Sequence, residues 1–424
     1  MTATSLNYTQ LDSWIDAHFD EQVRFLQELV RVPTDTPPGN NAPHAERTAE
    51  LIQAFGFEAE RYPVPTDEVR AYGMESITNL IVRRKFNEGG LTIALNAHGD
   101  VVPPGEGWTH APYGAEITDG KLYGRASAVS KSDFSSFTFA VRALESLNAP
   151  LKGAVELHFT YDEEFGGEKG PGWLLAKGLT KPDLMIAAGF SYQVVTAHNG
   201  CLQMEVTVNG KMAHAAIPHT GVDALQGAVH ILNKLYAQNT LYKSITSNVA
   251  GISHPYLNVG RIEGGTNTNV VPGTVAFKLD RRMIPEENPI EVEANIRKVI
   301  ADAAAEFSAM GNSQGGGKDS PITVDIKRLL LARSMQPLPG NKPLVDAVQK
   351  HALQVFGELM PVEGTPLYTD VRLYAEHGVP GIIYGAGPRT VLESHAKRAD
   401  ERLDLEDLRR ATKVIARTLL DLLI

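Results

Sequence analysis

Short apolar runs that end in polar, chemically active residues constrain the fold of this chain most strongly. Residues 91–95 form an apolar run with β-branched side chains, and residues 155–160, in which apolar and polar side chains alternate, are also predicted to form a strand. The first run leads into His98-Gly99-Asp100 and the second into Asp162-Glu163-Glu164, with helical periodicity over residues 132–147 in between. This order of strand, loop, helix and strand predicts an α/β fold, in which ligands collect beyond the carboxyl ends of the strands.

The remaining periodic segments predict a second, smaller unit inserted into the first. Helices are predicted at residues 10–32, 43–55, 222–238 and 290–309, and strands at residues 80–82, 202–208, 257–263, 274–280 and 381–384. Near residue 202 the pattern changes to one typical of an α+β unit. We therefore predict a catalytic metal-binding domain formed by residues 1–201 and 331–424, with residues 202–330 inserted. The glycine-rich segment 311–317 is predicted to be a flexible loop or a hairpin tip.

Charge and cysteine content narrow the function classes. The 424 residues include 40 Lys and Arg against 50 Asp and Glu, a net charge of −10, which argues against binding to nucleic acid. Cys201 is the only cysteine, so any metal must bind His, Asp or Glu rather than a CxxC motif. We expect no secretory signal, because the first residues show no basic start followed by an apolar run. We expect no membrane span, because no run of about 18 uncharged apolar residues is present. These features predict a cytoplasmic protein without a membrane partner.

Three groups of residues carry chemistry, although each is a weak signal alone. His98 is a possible metal ligand whose ring Asp100 would orient, and a loop histidine is the alternative. Adjacent carboxylates such as Glu163 and Glu164 repel each other unless a cation or exposure to solvent relieves them. One would then bind a metal while the other acts as general base for a metal-bound water, and a solvated acidic turn is the alternative. His395 alone is more typical of a surface residue than of a ligand.

In combination, and in their order along the chain, these motifs resemble a known enzyme family. The matching segments are residues 97–103, Trp108, residues 119–125, 162–167, 210–218, 265–272 and 280–282, and His395. They are similar to the aminoacylase, carboxypeptidase G and succinyl-diaminopimelate desuccinylase family of metallopeptidases, over essentially the whole chain. The resemblance implies an α/β, zinc-peptidase-like catalytic domain with a central mixed sheet. It also implies that the inserted α+β domain is a dimerisation domain that acts as a lid.

The resemblance implies a role for each matched residue of the catalytic domain. His98 corresponds to a ligand of one metal ion, and Glu164 and His395 correspond to ligands of the other. Glu163 corresponds to the general base, and Asp100 to the group that orients His98. The chain is therefore expected to bind a divalent metal and to act on a small-molecule substrate.

In the inserted domain the resemblance points to three residues. His214 would reach the active site of a partner subunit and steady a developing oxyanion, which is a large catalytic contribution. Asn269 and Arg282 would bind the substrate, and a guanidinium is suited to gripping a carboxylate with two parallel hydrogen bonds. Because His214 would act across an interface, a homodimer or a higher homo-oligomer is implied.

Two ligand positions of the family hold residues that cannot bind a metal. The metal-bridging aspartate of the family aligns with Val129, and a later acidic ligand aligns with Gly189. A two-metal site needs a bridging ligand to offset the repulsion between its cations. We therefore predict one zinc or manganese ion per chain. Two alternatives remain, namely an inactive relative that only binds a ligand, and either engineered substitutions or a misalignment of the family pattern at these two positions.

A substitute ligand is expected close to the missing bridge. Asp133 lies one helical turn beyond Val129 and could join His98, Glu164 and His395. Ser127 and His198 are weaker candidates.

The predicted function is hydrolysis of a C–N bond, in an amide, an N-acyl compound or an amine, in a small carboxylate-bearing molecule. The altered ligand set also resembles a nitroanthranilate aminohydrolase-like branch, which removes an amino group from an aromatic ring with a single metal. For such a substrate Arg282, Arg372 and Arg389 could hold the anionic groups, and Phe190 or Tyr192 could stack on the ring. Surface or interface salt bridges are the alternative for Arg372 and Arg389. A catalytically inactive ligand-binding protein is the alternative of another class.

Overall fold

The structure is a computed structural model that describes residues 3–147, 149–310 and 320–424. The segment 311–317, predicted to be a flexible loop or a hairpin tip, lies outside the described residues. The chain divides into two compact units. Unit 1 comprises Met1–Thr196, Pro337–Glu363 and Thr369–Ile424, and unit 2 comprises Ala197–Gln336 and Gly364–Tyr368. The predicted boundaries, at 201/202 and 330/331, lie a few residues from these, and the short segment 364–368 was not anticipated.

The secondary structure alternates between helices and strands along the described chain. The helices are α1 (Ala3–Ala17), α2 (Phe19–Val30), α3 (Ala42–Ala54), α4 (Thr66–Tyr72), α5 (Lys131–Glu145), α6 (Pro171–Ala176), α7 (Ala224–Tyr242), α8 (Pro289–Ala309), α9 (Lys342–Phe356), α10 (Val371–Glu376), α11 (Val391–Ser394) and α12 (Leu405–Leu423). The strands are β1 (Glu60–Pro63), β2 (Thr78–Lys85), β3 (Asn87–His98), β4 (Glu116–Thr118), β5 (Lys121–Tyr123), β6 (Lys152–Thr160), β7 (Leu184–Ala187), β8 (Val194–His198), β9 (Gly200–Asn209), β10 (Ala213–His214), β11 (Tyr256–Gly264), β12 (Val270–Val271), β13 (Thr274–Met283), β14 (Thr323–Ala332), β15 (Val362–Thr365), β16 (Gly381–Ile383) and β17 (Arg402–Asp404).

The central sheet of unit 1 brings the two predicted clusters to the same edge. In the described chain this sheet has eight strands in the order β1-β2-β6-β3-β7-β16-β8-β15. Strand β3 pairs in parallel with β6 and β7, whereas β2 pairs with β6 in the antiparallel direction, so the sheet is mixed. His98 lies opposite Thr160 in the β3–β6 register. The residues that follow these two strands therefore emerge side by side.

Helix α5 covers this sheet with aromatic side chains, which places the core directly behind the site. Phe134, Phe137 and Phe139 are fully buried in the main hydrophobic cluster. The ring of Phe134 stacks on Phe159 of β6, with 4.0 Å between the ring centroids. Burying side chains of this size is among the largest favourable contributions to a protein core, so the ends of β3 and β6 rest on a rigid support.

Unit 2 is an antiparallel sheet packed against two helices. In the described residues its four strands follow the order β11-β13-β9-β14. Alternate residues of β9, from Leu202 to Val208, are buried against α7 and α8, as the alternating sequence predicts. Asp223 caps α7 by accepting the backbone N–H groups of Leu225 and Gln226. Taken together, the mixed central sheet of unit 1 and this α+β unit confirm the predicted fold class.

Two elements differ from the sequence-based prediction. Residues 10–32 form two helices rather than one, because the backbone of His18 leaves the helical region and its ring stacks on Trp14. Strand β14 was not predicted. It is an edge strand whose polar and apolar residues alternate over 323–327 only, and its register shifts further along, between Arg328 and Leu330. No helix in the described part of the chain is long and apolar enough to cross a membrane.

Candidate functional site

Asp100 holds the two predicted clusters together at the edge of the sheet. Its Oδ2 atom accepts the backbone N–H of Glu164 at 2.9 Å. The Nδ1 atom of His98 lies 3.0 Å from the Asp100 carbonyl oxygen and 3.4 Å from Asp100 Oδ1. This contact fixes the ring of His98 and directs its Nε2 atom away from Asp100. The acceptor nearest to Nδ1 is thus the backbone carbonyl of Asp100, and orientation of His98 by the Asp100 carboxylate stays a prediction.

The free side of the His98 ring faces Glu163. Their Nε2 and Oε2 atoms are 3.9 Å apart. Burial raises the pKa of the Glu163 carboxyl to about 7, although the charge of His98 opposes this shift. Burial also disfavours the charged form of His98, but the carboxylates of Glu163 and Asp100 outweigh it and raise the pKa of His98 to about 10. Glu163 can therefore gain and lose a proton near neutral pH beside a positively charged ring.

Glu164 does not meet a second histidine but a lysine that the sequence analysis missed. The Nζ atom of Lys397 lies 2.7 Å from Glu164 Oε2. Partial desolvation of the ammonium end opposes the charged form of Lys397, but the carboxylates of Glu164 and Glu163 outweigh it and raise the pKa of Lys397 above the ordinary value. Lysine is not a usual metal ligand, so a search for ligand patterns passes over it even though it stands two residues after His395.

Asp133, the predicted substitute ligand, is already engaged as a structural group. Its Oδ1 atom accepts the backbone N–H of Ala386 at 2.7 Å and the hydroxyl of Ser136 at 3.1 Å. A Cβ atom at Gly385 would lie 2.4 Å from the same oxygen, so the chain passes close to it. Burial raises the pKa of Asp133 to about 7. The second oxygen, Oδ2, is buried and has no hydrogen-bond partner among the described residues.

The two positions that lack family ligands are packed by apolar groups. A Cβ atom at Gly189 would lie 2.4 Å from Cγ2 of Ile383, so no side chain fits there without rearrangement. Val129 would lie 3.1 Å from a Cβ atom at Gly387. Of the weaker candidates, Ser127 is buried, and the Nδ1 atom of His198 lies 2.8 Å from the Asn199 carbonyl oxygen.

We expect Gly189→Ala to lower the free energy of unfolding by about 1–3 kcal/mol, the usual cost of overpacking a core. The added methyl group would overlap Ile383. Urea unfolding measures the loss, and the double variant Gly189→Ala/Ile383→Leu should recover part of it, because leucine lacks the β-branched Cγ2 methyl group that the new Cβ atom would overlap. A Gly189→Ala variant as stable as the wild type would contradict this packing.

The predicted ligand set is not assembled into a metal centre. The Nδ1 atom of His395 lies 3.1 Å from the Ala399 carbonyl oxygen and 3.3 Å from Nη1 of Arg402. Within the described ranges, no three His, Cys, Asp or Glu side chains form a group that could hold a metal ion. That His98, Glu164, His395 and Asp133 share one ion stays a prediction. The residues present therefore do not fit the two-metal centre that the resemblance implies.

Asp370 is a further carboxyl of the site that the sequence did not reveal. Burial raises its pKa well above the ordinary value, and the charges of Glu163 and Asp162 add to the shift. Its Oδ1 atom would lie 2.1 Å from a Cβ atom at Gly167, where the backbone has a φ of +76°. Glycine is therefore required at this close approach. In sequence, an isolated Asp before α10 is more typical of a helix cap.

In unit 2, the structure brings together His214 and Asn269. His214 pairs with Val270 in the β10–β12 ladder, and the backbone N–H of Ala215 donates to the Asn269 carbonyl oxygen at 3.0 Å. His214 is exposed, and its Nδ1 atom accepts the N–H of Ala216 at 3.0 Å. A neutral His214 must therefore carry its proton on Nε2, which leaves a donor facing outward.

The arginines predicted to bind substrate differ in their surroundings. Arg282 makes a two-point contact with Asp280, at 2.7 and 3.2 Å, and lies over the ring of Tyr368. Arg372 is buried and donates to the Gly166 carbonyl oxygen, which gives it a structural contact.

Tyr192, one of the two aromatic residues predicted to stack on a flat substrate, is partly covered by another side chain. Arg389 lies 3.8 Å from the ring centroid of Tyr192 and also pairs with Glu358 at 2.6 Å. The Tyr192 hydroxyl donates to Asp407 at 2.6 Å. Phe190 forms a backbone bridge with Gly387. Substrate binding by these residues stays a prediction, although one face of Tyr192 is already covered.

Comparison with known proteins identifies the family. Residues 94–421 match the model of Peptidase family M20/M25/M40, which is more than half of the chain. The chain is 28% identical to an acetylornithine deacetylase from Myxococcus xanthus over 402 residues, which cover 92% of this chain and 95% of the relative. It is 27% identical to a succinyl-diaminopimelate desuccinylase from Hydrogenovibrio crunogenus over 435 residues, which cover 95% and 99%.

A solved structure shows the same fold at lower identity. The dipeptidase Dug1p from Saccharomyces cerevisiae superimposes with a TM-score of 0.77 at 14% identity, and the match covers 99% of this chain and 98% of Dug1p. The resemblance inferred from the motifs is thus confirmed, and so is the prediction of an enzyme class that hydrolyses C–N bonds. The chain belongs to peptidase family M20/M25/M40, a family of metal-dependent hydrolases that act on amide bonds.

Proposed function

We propose that this chain hydrolyses the amide bond of a small, carboxylate-bearing N-acyl compound, with Glu163 as the general base. The observation that carries this proposal is the position of the Glu163 carboxyl. It is buried at the edge of the sheet, it faces His98 at 3.9 Å, and the neighbouring Glu164 rather than Glu163 forms the close ion pair with Lys397. A relative that had kept only the fold would have no physical need for this carboxyl.

The proposed reaction uses groups of the chain alone. Glu163 takes a proton from a water molecule, and the water oxygen attacks the carbonyl carbon of the amide. The negative charge that forms on the carbonyl oxygen is stabilised by nearby positive charge and N–H donors. The C–N bond then breaks, Glu163 returns the proton to the leaving nitrogen, and the products are a carboxylic acid and an amine. The predicted single zinc or manganese ion enters no step, because the described residues do not assemble its ligands.

The substrate class follows from the relatives and from two residues of unit 2. The curated relatives are named for N-acetyl and N-succinyl amino acids, which carry a free carboxylate. Arg282 and Asn269 are our candidates for binding such a group. Because Arg282 already contacts Asp280 at two points, a substrate carboxylate would have to replace or share that partner. The alternative of an aromatic amine has less support, since Arg389 covers one face of Tyr192.

The proposal is tested with a panel of compounds. The full-length protein is incubated with N-acetyl and N-succinyl amino acids, dipeptides and anthranilate-type amines, and the released primary amine or ammonia is measured. We expect turnover of at least one N-acyl amino acid, with no release when its carboxylate is replaced by an amide. Hydrolysis restricted to aromatic amines, or no hydrolysis of any compound, would contradict the proposal.

We also propose that His214 donates its Nε2–H to the developing oxyanion in the active site of a partner subunit. His214→Ala should then lower kcat by about 10²–10³-fold, the usual cost of losing one such donor, with little change in KM. His219→Ala is the matched control, because His219 is also exposed and lies five residues further on in the same segment. Equal activity of the two variants would contradict the role of His214.

A catalytically inactive ligand-binding protein is the second candidate. The contact of Lys397 with Glu164 favours it, because a position that resembles a metal ligand is occupied by an ammonium group. It predicts that the chain binds N-acyl amino acids without releasing amine from them, which the same panel distinguishes. In either case we propose a homodimer in the cytoplasm, where the single buried thiol, Cys201, would stay reduced.

A further inference from the structure

We propose that the ammonium group of Lys397 is the resident cation of this site, and that it takes the place of a metal ion on Glu164. The inference rests on the proposed function in that it concerns the same pair of glutamates. It adds that Glu164 is not available as a metal ligand while Lys397 is present. Its test measures metal affinity, which does not depend on turnover.

The contact itself is the first argument. Lys397 Nζ lies 2.7 Å from Glu164 Oε2, within the range of a charge-assisted hydrogen bond. The Glu164 side chain is only 10% exposed, whereas that of Lys397 is 63% exposed. The lysine therefore reaches the carboxylate from the solvent side. A metal ion that approached Glu164 from solvent would meet the ammonium group first.

The surrounding charge is the second argument. Asp100, Asp162, Glu163 and Asp370 are all buried near this edge of the sheet. So many carboxyls in one place repel one another unless a cation relieves them. A lysine ammonium is a compact point charge with three donors, which suits this task. Because it is tethered to the same chain, it competes with free ions at a high effective concentration.

The missing donors are the third argument. A metal ion bound to Glu164 would lack the bridging carboxylate of the family, because Val129 occupies that position. It would also lack the family's later acidic ligand, because Gly189 has no side chain and Ile383 fills the space beside it. The loss of these ligands and the presence of a lysine ammonium group both favour a site that does not bind a metal ion at Glu164.

The segment that carries Lys397 is held in place on its far side. The Oδ1 atom of Asp400 accepts the backbone N–H groups of Thr109 and His110 at 2.9 and 3.1 Å. Glu401 follows directly and pairs with the buried Arg125 at 2.7 Å. These anchors fix the backbone a few residues from Lys397. The lysine is therefore presented to Glu164 by an ordered segment rather than by a free end.

The experiment is a cycle of zinc affinities measured by equilibrium dialysis and elemental analysis on the full chain. We expect Lys397→Met to bind zinc about tenfold more tightly than the wild type or better, because a competing opposite charge is removed from the carboxylate. Glu164→Gln in the wild-type background should change zinc affinity less than about twofold, since Glu164 is already occupied. The double variant Lys397→Met/Glu164→Gln should lose the gain.

Two control variants separate charge from structure. Lys397→Arg keeps the positive charge and should bind zinc like the wild type. Arg398→Met removes a positive charge from the next residue and should not produce the gain. If Glu164→Gln weakens zinc binding by the wild type about tenfold, Glu164 is a metal ligand and the proposal is overturned. That measurement remains decisive even if Lys397→Met does not fold. If the cycle holds but no amide is hydrolysed, the proposed function fails and this inference stands.

Discussion

Glu163→Gln is expected to lower kcat for amide hydrolysis by about 10²–10⁴-fold, the contribution of a positioned general base. The substitution keeps the shape of the side chain but removes its ability to take a proton from water. Because Glu163 faces His98 through a 3.9 Å contact and not through a short hydrogen bond, we expect little loss of stability. KM should change little, since the base acts on the attacking water rather than on the bound substrate.

The measurement is steady-state release of amine from the N-acyl compound that the panel identifies. Glu168→Gln is the matched control, because Glu168 is an exposed carboxylate in the segment that follows the same strand. Its activity should equal that of the wild type. Thermal melting shows whether each variant is folded. A folded Glu163→Gln variant with near-normal kcat would exclude the general-base role.

Local patterns explain why most of the fold could be predicted. The apolar run of β3, the alternation in β6 and the periodicity of α5 are properties of nearby residues, so they are visible in the sequence. The α1–α2 break at His18 was not visible, because the helical spacing of apolar residues continues across it. The edge strand β14 was missed because its alternation extends over residues 323–327 only and is followed by an irregular run over 328–332.

The site could be predicted only where its chemically active residues lie in recognisable motifs. His98, Asp100 and Glu163 meet at one edge because two neighbouring parallel strands end there. The contact of Lys397 with Glu164 joins residues that are far apart in the chain, and no local sequence pattern around either residue predicts it. The sequence showed that Gly189 cannot be a ligand. Only the structure shows that Ile383 fills the space beside Gly189, so that a single substitution at Gly189 cannot restore a metal ligand.

Arg125→Met is expected to lower the free energy of unfolding by about 3–5 kcal/mol, because it leaves a buried carboxylate without its partner. Arg125 and Glu401 have side chains that are only 2% and 3% exposed, and their Nη1 and Oε2 atoms are 2.7 Å apart. Burial alone raises the pKa of Glu401, and Arg125 opposes that shift. The guanidinium also donates to the carbonyl oxygens of Pro104 and Arg398, at 2.9 and 3.3 Å.

Urea unfolding of two further variants identifies the cause of the loss. Arg47→Met breaks an ion pair with Glu28 whose side chains are 39% and 35% exposed, and it should cost less than about 1 kcal/mol. Arg125→Met/Glu401→Leu removes both buried charges and should be more stable than Arg125→Met alone. If the double variant is no better, the loss comes from the contacts with Pro104 and Arg398 instead. If it recovers, the ion pair is what anchors the segment that presents Lys397 to Glu164.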